Sequence, residues 1–269
     1  AEAALASTSS VPYSSAAVSK PTFIDIEDAS WMWGILITDK DRVSTTGICN
    51  FPSHMGSLNY GYASVGGWRR ISPKLYNQIP ESDVRKGWFL DDTGVSVNLP
   101  AAAQAYITKK GAPVYTQVKY GPMNDEWGSN NNATDVILMR VEEMYLIKAE
   151  AQAMNNDVSG GVNTLNSFVN TYRDPSYKCT ATTGEAVQEA VWHQRRIEFW
   201  GEGLAYFDIM RLNKGVNRLG CGFPKTAVFN IAAGDPVQIY SIPNKEVQYN
   251  PLLENNPLVS APTPIPDEE

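Results

Sequence analysis

Cysteine, histidine, basic charge and long apolar runs are all scarce in this sequence, and each scarcity excludes a class of protein. No apolar run reaches the roughly 18 residues that a membrane-spanning helix needs. The net charge of -7 argues against a nucleic-acid partner, which would require a basic face, and against a polybasic patch for anionic membranes. The sequence therefore predicts neither a transmembrane nor a nucleic-acid-binding protein.

The sequence also lacks the residues and motifs of common metal, cofactor and catalytic sites. Cys49, Cys179 and Cys221 form no CxxC pair, and with only two histidines the sequence does not predict a zinc site. GxSxG and Gly-Lys-Ser/Thr motifs are absent. We therefore predict no metal and no cofactor. A Cys179–Cys221 disulfide and a calcium ion on the oxygen-rich run 128–132 stay open.

The chain is long enough to bury a substantial core. Its 269 residues are 43% hydrophobic and 19% charged, which suits one large globular domain or two small ones. Residues 1–6 lack the charged and apolar regions of a signal peptide and resemble the end of a helix. We therefore expect the chain to be the C-terminal portion of a longer protein.

The first half of the chain is rich in aromatic residues, glycine and proline, and it has no sustained period. Alternating or β-rich segments at 23–28, 30–37 and 114–120 predict short strands. The stretches 44–67 and 121–134 have no regular pattern. Long loops of this kind inside compact domains are often functional.

The stretch from Asp135 to Leu212 carries the only sustained helical period. Apolar residues three and four positions apart predict a first helix over 137–154 and a second over 162–172. A capping box at Thr182–Glu185 begins a third helix, and a fourth covers 204–211. The first two helices form a hairpin of about 35 residues, the size of a tetratricopeptide unit.

These patterns divide the chain into three parts. Residues 1–134 are expected to form an irregular, loop-rich part with short strands and the candidate ligand face. Residues 135–213 are expected to form a helical core, and the Pro-rich segment 214–269 is expected to pack on the helices.

Charged residues on or near apolar helix faces mark the helical stretch. Paired carboxylates are what a glycosidase needs. Here, however, each acid has an arginine nearby in sequence or on a plausible facing helix, which keeps a carboxylate ionised. We therefore predict structural ion pairs, with Arg140–Glu198 as the preferred buried pair, and keep a glycoside hydrolase as an alternative. The predicted set is Arg140, Glu143, Glu198, Glu202, Asp208 and Arg211.

Five blocks in fixed order resemble the C-terminal part of the SusD/RagB family. They are SPKLYNQIPESDVRK (72–86), MRVEEMYLIKAEA (139–151), LNSFVNTYR (165–173), RRIEFWGEGLAYFDIMRL (195–212) and IYSIPNKEVQYNPLLENNP (239–257). The chain departs from the family at Leu204, where a polar His or Arg is usual after the Glu-Gly pair.

The resemblance implies a mostly α fold, in which tetratricopeptide-like helical hairpins form an α/α superhelix beside an irregular half with short β-strands and long loops. It implies a non-enzymatic lipoprotein on the extracellular face of the outer membrane, anchored through an N-terminal lipid absent from this chain. Such proteins bind glycan, or less often peptide, and act with a SusC-like TonB-dependent transporter.

Glycan binding requires flat aromatic side chains flanked by hydrogen-bonding groups. The two long loops supply both, whereas Trp31 and Trp33 on a predicted strand are core candidates. The alternative is a helical scaffold that binds only the transporter, another protein or peptide. The predicted ligand-binding residues are His54, Asn59, Tyr60, Tyr62, Trp68, Arg69 and Trp127.

Overall fold

The computed structural model describes residues 1–41, 44 and 50–267, and this part of the chain is mostly helical. The mostly α fold class is thereby confirmed. Cys49 and part of the predicted loop 44–67 lie outside the described residues.

Helices of very different lengths are distributed along the chain. The α-helices are α1 (Glu2–Ser7), α2 (Ser15–Val18), α3 (Phe51–Met55), α4 (Pro73–Tyr76), α5 (Ala101–Lys109), α6 (Val141–Met154), α7 (Val158–Tyr172), α8 (Gly184–Glu198), α9 (Ala205–Arg211) and α10 (Asn244–Tyr249). Short 3₁₀ turns lie at Ala63–Val65, Val84–Trp88, Met123–Asp125, Lys225–Ala227 and Pro236–Gln238.

The strands form two small antiparallel sheets. In the first sheet, β1 (Trp31–Ile35) pairs with β2 (Val136–Arg140), and in the second, β3 (Val216–Asn217) pairs with β4 (Asn230–Ile231). The chain divides into two compact units. One contains Ala1–Ile71 and Leu75–Glu202, and the other contains Ser72–Lys74 and the chain from Gly203 onward.

The first long helix begins at Val141, so the prediction of helix from residue 137 was wrong. Residues Val136–Arg140 form β2, in which Ile137 lies opposite Gly34 of β1. The β-branched residues at 136 and 137 suit an extended backbone, and the partner strand satisfies their peptide groups. Arg140 keeps an extended conformation and is the N-cap of α6. Strand and helix therefore meet at a single arginine.

The two tryptophans of β1 have different environments. Trp31 is buried, but Trp33 is 62% exposed, so its assignment to the core was wrong. The register between β1 and β2 shifts between Trp31 and Trp33 and again between Trp33 and Gly34. Such irregularities change the face to which a side chain points, and the alternation of the sequence does not reveal them.

Two other predicted strands, 23–28 and 114–120, are absent from the described structure as strands. Residues 116, 117 and 120 form only isolated bridges, such as Phe89 with Gln117, and none of residues 23–28 is in a bridge. Phe23 and Tyr115 have positive φ angles of 63° and 64°, which interrupt an extended backbone.

Helix α6 packs against both α7 and α8 and forms the helical core of the first unit. Side-chain caps fix where α7 and α8 begin. Asp157 accepts from the Gly160 amide at the start of α7, and Thr183 accepts from Ala186 at the start of α8. The fully buried apolar residues between the three helices include Leu146, Ala149, Leu165, Phe168, Val169, Val187 and Val191.

An aromatic cluster around Phe23 fills the core of the irregular part. The Phe23 ring lies 5.0 Å from Tyr13, 5.8 Å from Trp88 and 5.7 Å from Tyr120, measured between centroids. The contacts to Tyr13 and Trp88 are edge-to-face, the geometry that aromatic pairs favour. Three rings of this cluster, Phe23, Trp88 and Tyr120, also surround the buried ammonium of Lys119.

The second unit is organised by α9 and the small sheet of β3 and β4. The Tyr206 hydroxyl donates to the Gln238 carbonyl at 2.6 Å. The Arg218 guanidinium lies 4.6 Å from the Phe223 ring and 4.1 Å from the Phe229 ring. In a unit with little regular structure, these polar and cation–π contacts hold the turns together.

Both cysteines in the described part, Cys179 and Cys221, are free thiols. Over residues 1–41, 44 and 50–267, none of the helices has both the length and the apolar composition needed to cross a membrane.

Gly161 allows α7 to approach α6 closely, and a larger residue there should destabilise the first unit. A Cβ at this position would lie 2.7 Å from the Ala149 carbonyl oxygen and 2.8 Å from the Ala153 Cβ. We expect Gly161→Val to lower the free energy of unfolding by about 2–3 kcal/mol through overpacking. Urea denaturation measures the change. Asn163→Val adds the same side chain at an exposed site of α7, and an equal loss in both variants would contradict the close-approach argument.

Candidate functional site

The carboxylate of Glu198, the last residue of α8, is fully buried and accepts hydrogen bonds from three arginines. Arg140 Nη1 donates to Oε1 at 2.6 Å, and Arg85 Nη1 donates to Oε2 at 3.1 Å. Arg173 bonds both oxygens, with its Nη2 and Nε each at 2.8 Å. The three arginines come from a 3₁₀ turn, the end of β2 and the C-cap of α7, so one carboxylate joins three distant segments.

Glu202 extends these contacts toward the aromatic core. Arg140 binds it in a bidentate manner, with Nε and Nη2 each donating at 2.9 Å. Lys119 Nζ donates to Glu202 Oε1 at 2.5 Å and to the Glu198 carbonyl at 3.0 Å. The same ammonium also donates to the Trp200 carbonyl at 3.1 Å and lies 4.5 Å from the centroid of Phe23.

Two further carboxylates complete the buried ion network. Glu142 accepts from Arg173 at 3.1 Å and from the Tyr13 amide at 2.8 Å, and Asp83 accepts from Arg85 at 2.9 and 2.6 Å. In the described residues the network contains four cations and four carboxylates, so its formal charges cancel. Its members are Asp83, Arg85, Lys119, Arg140, Glu142, Arg173, Glu198 and Glu202.

The network keeps its central carboxylates ionised. Burial alone would raise the pKa of Glu198, but the charges of Arg173 and Arg140 outweigh burial and hold the pKa well below its ordinary value. Arg140 and Lys119 likewise lower the pKa of Glu202 against the effect of burial. Burial lowers the pKa of Lys119 to about 8, although Glu202 opposes this shift. Carboxylates with lowered pKa values are unsuited to protonating a glycosidic oxygen.

The remaining predicted ion-pair residues lie outside this network. Glu143 lies 3.2 Å from Arg195, not beside Arg140. Asp208 and Arg211 pair at 2.8 Å within α9 of the second unit.

Sequence reasoning did not place Arg85, Lys119, Glu142 or Arg173 among the ion pairs. Lys119 lies in a segment whose alternation predicted only a short strand, so no signal in the sequence indicated its burial. Arg85 and Arg173 belonged to family-like blocks, which could have indicated buried partners.

The two loops predicted to bind ligand lie side by side. The Tyr60 amide donates to the Ser129 carbonyl at 2.7 Å, and the Gly128 amide donates to the Leu58 carbonyl at 2.8 Å. The Asn59 side-chain amide donates to Asn132 Oδ1. The structure therefore brings residues 58–60 and 128–132 together, although about 70 positions separate them in sequence.

Tyr60 and Tyr62 are the exposed aromatic residues of this pair of loops. Tyr60 is 47% exposed and Tyr62 is 45% exposed. Tyr62 lies 4.9 Å from His54 between ring centroids, and the Arg69 guanidinium lies 5.8 Å from the Tyr62 ring. A Cβ at Gly67 would lie 2.6 Å from the Tyr62 ring, so the glycine gives this ring its position.

Helix α5 supplies two residues of this face that sequence reasoning missed. Lys110, the C-cap of α5, places its ammonium 5.6 Å from the Tyr60 ring and 5.7 Å from the Tyr106 ring. The Tyr106 hydroxyl donates to the Asn59 carbonyl at 3.2 Å. We make no prediction from the sequence for residues 101–110, so nothing linked α5 to the loops.

The other predicted ligand residues have more interior positions. Trp68 and Trp127 are half-buried and pack against a cluster that includes Leu58 and Ile107. Asn59 is 2% exposed and supports the loop from within. The aromatic face, as defined by these contacts, consists of His54, Tyr60, Tyr62, Arg69, Tyr106 and Lys110.

Within the described ranges no group of three His, Cys, Asp or Glu side chains is arranged to hold a metal ion.

Comparison with known proteins identifies the family. The SusD family model matches residues 85–258, which is more than half of the chain. The chain belongs to the SusD family. The SusD-like fold class is confirmed with it. The search of curated proteins found no match.

Solved structures of SusD-like proteins share the fold. A SusD superfamily protein from Bacteroides thetaiotaomicron is 21% identical with a TM-score of 0.71, and the match covers 94% of this chain and 53% of that one. A SusD-like carbohydrate binding protein from Bacteroides vulgatus is 23% identical with a TM-score of 0.60, covering 91% of this chain and 44% of that one. The chain therefore spans about half the length of these relatives.

Removing one charge from the centre of the network should strongly destabilise the first unit. Glu198→Gln keeps the side-chain size but leaves three buried arginines short of one negative charge. We expect a loss of about 3–5 kcal/mol in the free energy of unfolding. Glu185→Gln, at the exposed start of α8, should cost at most about 0.5 kcal/mol. Urea denaturation of both variants measures these changes. Similar losses of unfolding free energy in the two variants would show that the network contributes little to stability.

The lowered pKa of Glu202 predicts that the free energy of unfolding decreases at acid pH. The unfolded chain, with the ordinary pKa of 4.5, takes up a proton before the folded chain does. The stabilisation is therefore complete above that pKa and is lost as pH falls through the lower folded value. We expect the unfolding free energy of the native chain to fall more steeply below about pH 4.5 than that of Glu202→Gln. Parallel slopes in urea titrations across this range would contradict the assignment.

Proposed function

We propose that this chain is part of a cell-surface glycan-binding protein that captures an oligosaccharide or polysaccharide and delivers it to a TonB-dependent outer-membrane transporter. One observation carries the proposal. Two half-exposed tyrosines, Tyr60 and Tyr62, lie in one loop with cationic and imidazole groups beside their rings.

The aromatic face has the chemistry that a sugar requires. A tyrosine ring offers a flat apolar surface to the CH-rich face of a pyranose. The ammonium of Lys110 and the guanidinium of Arg69 can donate hydrogen bonds to ring and hydroxyl oxygens. Binding of this kind is non-covalent and needs no cofactor.

The position of this face on a supported loop favours a binding role. The loop of Tyr60 is bonded to residues 128–132, and Tyr106 fixes the Asn59 carbonyl from α5. A ring held in place before the ligand arrives loses less conformational freedom on binding. Membership of the SusD family and the fold shared with a carbohydrate-binding protein of Bacteroides vulgatus support the same interpretation.

A binding function also agrees with the state of the buried carboxylates. Glu198 and Glu202 are enclosed by cations and have lowered pKa values, so they suit structure better than acid catalysis. The proposed protein is therefore not an enzyme. Its location on the extracellular face of the outer membrane, its lipid anchor and its SusC-like partner are proposed from the family resemblance.

Removal of the two exposed rings should weaken glycan binding. We expect Tyr60→Ala and Tyr62→Ala each to lower affinity about tenfold, because each ring contributes about 1–1.5 kcal/mol of stacking. Isothermal titration calorimetry of the full-length protein against a glycan panel measures the affinities. Tyr249→Ala removes an exposed tyrosine of α10 and serves as the matched control.

The same titrations test the alternative of a helical scaffold. If no glycan or peptide binds and only the transporter copurifies, the scaffold function replaces the proposed one. If glycan affinity is unchanged in both tyrosine variants, the glycan does not bind at the aromatic face. Formation of a hydrolysis product from any glycan would overturn the non-enzymatic assignment.

A further inference from the structure

A second pocket, separate from the aromatic face, opens between the 3₁₀ turn Val84–Trp88 and residues 91–98. Its volume is about 270 Å³, and all its lining residues belong to the first unit. Val84, Phe89, Val95 and Val97 give part of its wall an apolar character, and carboxylate, hydroxyl and amide groups form the rest.

The polar part of the wall is acidic. Glu81, Asp83 and Asp91 line the pocket together with one cation, Lys86. Lys86 is already paired with Glu81 at 2.5 Å and also donates to the Ile79 carbonyl at 3.0 Å. Asp83 is occupied by its bonds to Arg85, so Asp91 is the carboxylate available to a ligand.

Asp91 is held in place and ionised. The Thr93 amide, the Thr93 hydroxyl and the Val95 amide donate to Oδ1 at 2.8, 2.7 and 2.9 Å. Slight burial acts in the opposite direction, but these hydrogen bonds lower the pKa of Asp91. The second oxygen, Oδ2, accepts none of the three bonds and keeps its capacity for a donor.

Tyr76 lines the same pocket, and its ring lies 5.0 Å from the Lys86 ammonium and 5.2 Å from the Tyr115 ring. It is only 8% exposed, and its hydroxyl makes no hydrogen bond with any residue that the structure describes. Burial and the negative charges of Asp91, Glu81 and Asp92 raise the pKa of Tyr76 to about 12. The phenol is therefore neutral at physiological pH. The hydroxyl is open to the pocket and can donate to a ligand or accept from one.

Asn98 supplies a further acceptor. Its side-chain amide donates to the Val18 carbonyl at 3.1 Å and the Val84 carbonyl at 3.3 Å, which fixes the side chain in place. Its Oδ1 accepts no hydrogen bond within the described ranges. A Cβ at Gly87 would lie 2.3 Å from this oxygen, so glycine is required for Asn98 to occupy the pocket wall.

The pocket thus combines acceptors, negative charge and apolar walls. A neutral sugar would gain nothing from the charge, and an anion would be repelled by it. A metal ion is disfavoured, since no group of three acidic, His or Cys side chains suited to a metal occurs in the described part. An ammonium group supplies three donors and a positive charge. A sugar ring bearing it would use both the apolar walls and the available volume.

We propose that this pocket binds an amino sugar, with its ammonium group bonded by Asp91, Tyr76 and Asn98. The site is independent of the aromatic face and goes beyond the proposed glycan binding there. Tyr60→Ala weakens only the aromatic face, so glucosamine binding that persists in this variant is assigned to the pocket.

Titration with three small molecules tests the site. The probes are glucosamine, glucose and cyclohexylamine, used with the native chain at about pH 6, where the amines are protonated and the carboxylates ionised. We expect glucosamine to bind at least about tenfold more tightly than glucose because of the charge interaction. Raising the ionic strength from about 0.15 M to about 1 M should weaken glucosamine binding.

Two conservative variants report on the proposed contacts. Asp91→Asn keeps the turn-forming oxygen and should lower glucosamine affinity about tenfold, and Tyr76→Phe should lower it about fivefold. Neither substitution removes a packing group, so both variants should fold, as circular dichroism will verify. Glu185→Gln removes an exposed carboxylate elsewhere and should have no effect.

The outcomes separate clearly. Equal affinity for glucosamine and glucose, unchanged affinity in Asp91→Asn, or no binding of any probe would overturn the proposal. Equal binding of cyclohexylamine would overturn the amino-sugar assignment, because the hydroxyls would then play no part. If glucosamine does not bind the pocket but glycan binding still depends on Tyr60 and Tyr62, only the amino-sugar proposal is overturned and the proposed function stands.

Discussion

The structure of the first unit depends on a carboxylate that has been removed from water and enclosed by arginines. Glu198 ends α8 with no solvent contact, and Arg85, Arg140 and Arg173 satisfy both of its oxygens. Buried charges are expensive unless they are paired and hydrogen-bonded. The geometry of the turn, the strand and the helix end must therefore be right simultaneously. The network specifies this arrangement more strictly than apolar packing alone would do.

The aromatic core and the charges act together. Lys119 lies over Phe23 and beside Trp88, and Arg140 lies 4.6 Å from the Phe199 ring, so cations take part of their solvation from ring faces. The same interior supports the loops on its outer side, where Tyr60 and Tyr62 are exposed.

Much of the helical architecture could be predicted from the sequence because it depends on local signals. The period of α6, the caps of α8 and the hairpin between α6 and α7 are each encoded within a few neighbouring residues. The start of α6 could not be predicted in this way, since Val136–Arg140 pairs with a strand about one hundred residues earlier. The bulge that exposes Trp33 and the positive φ of Phe23 likewise depend on tertiary contacts. Of the aromatic face, the loop residues were visible in the sequence, whereas Tyr106 and Lys110 join them only through the folded chain.

The wide separation of the network's members has a consequence for how the chain is made. Glu198 is 113 residues from Arg85, 58 from Arg140 and 25 from Arg173. During synthesis all three arginines emerge before the glutamate that neutralises them. The centre of the unit therefore cannot close until α8 is complete, and until then it carries an excess of positive charge that resists collapse. Contacts of such long range form slowly. Assembly of this unit thus waits for its last helix, and a chain that stops before residue 198 lacks both Glu198 and Glu202, the carboxylates that join its three arginines and Lys119.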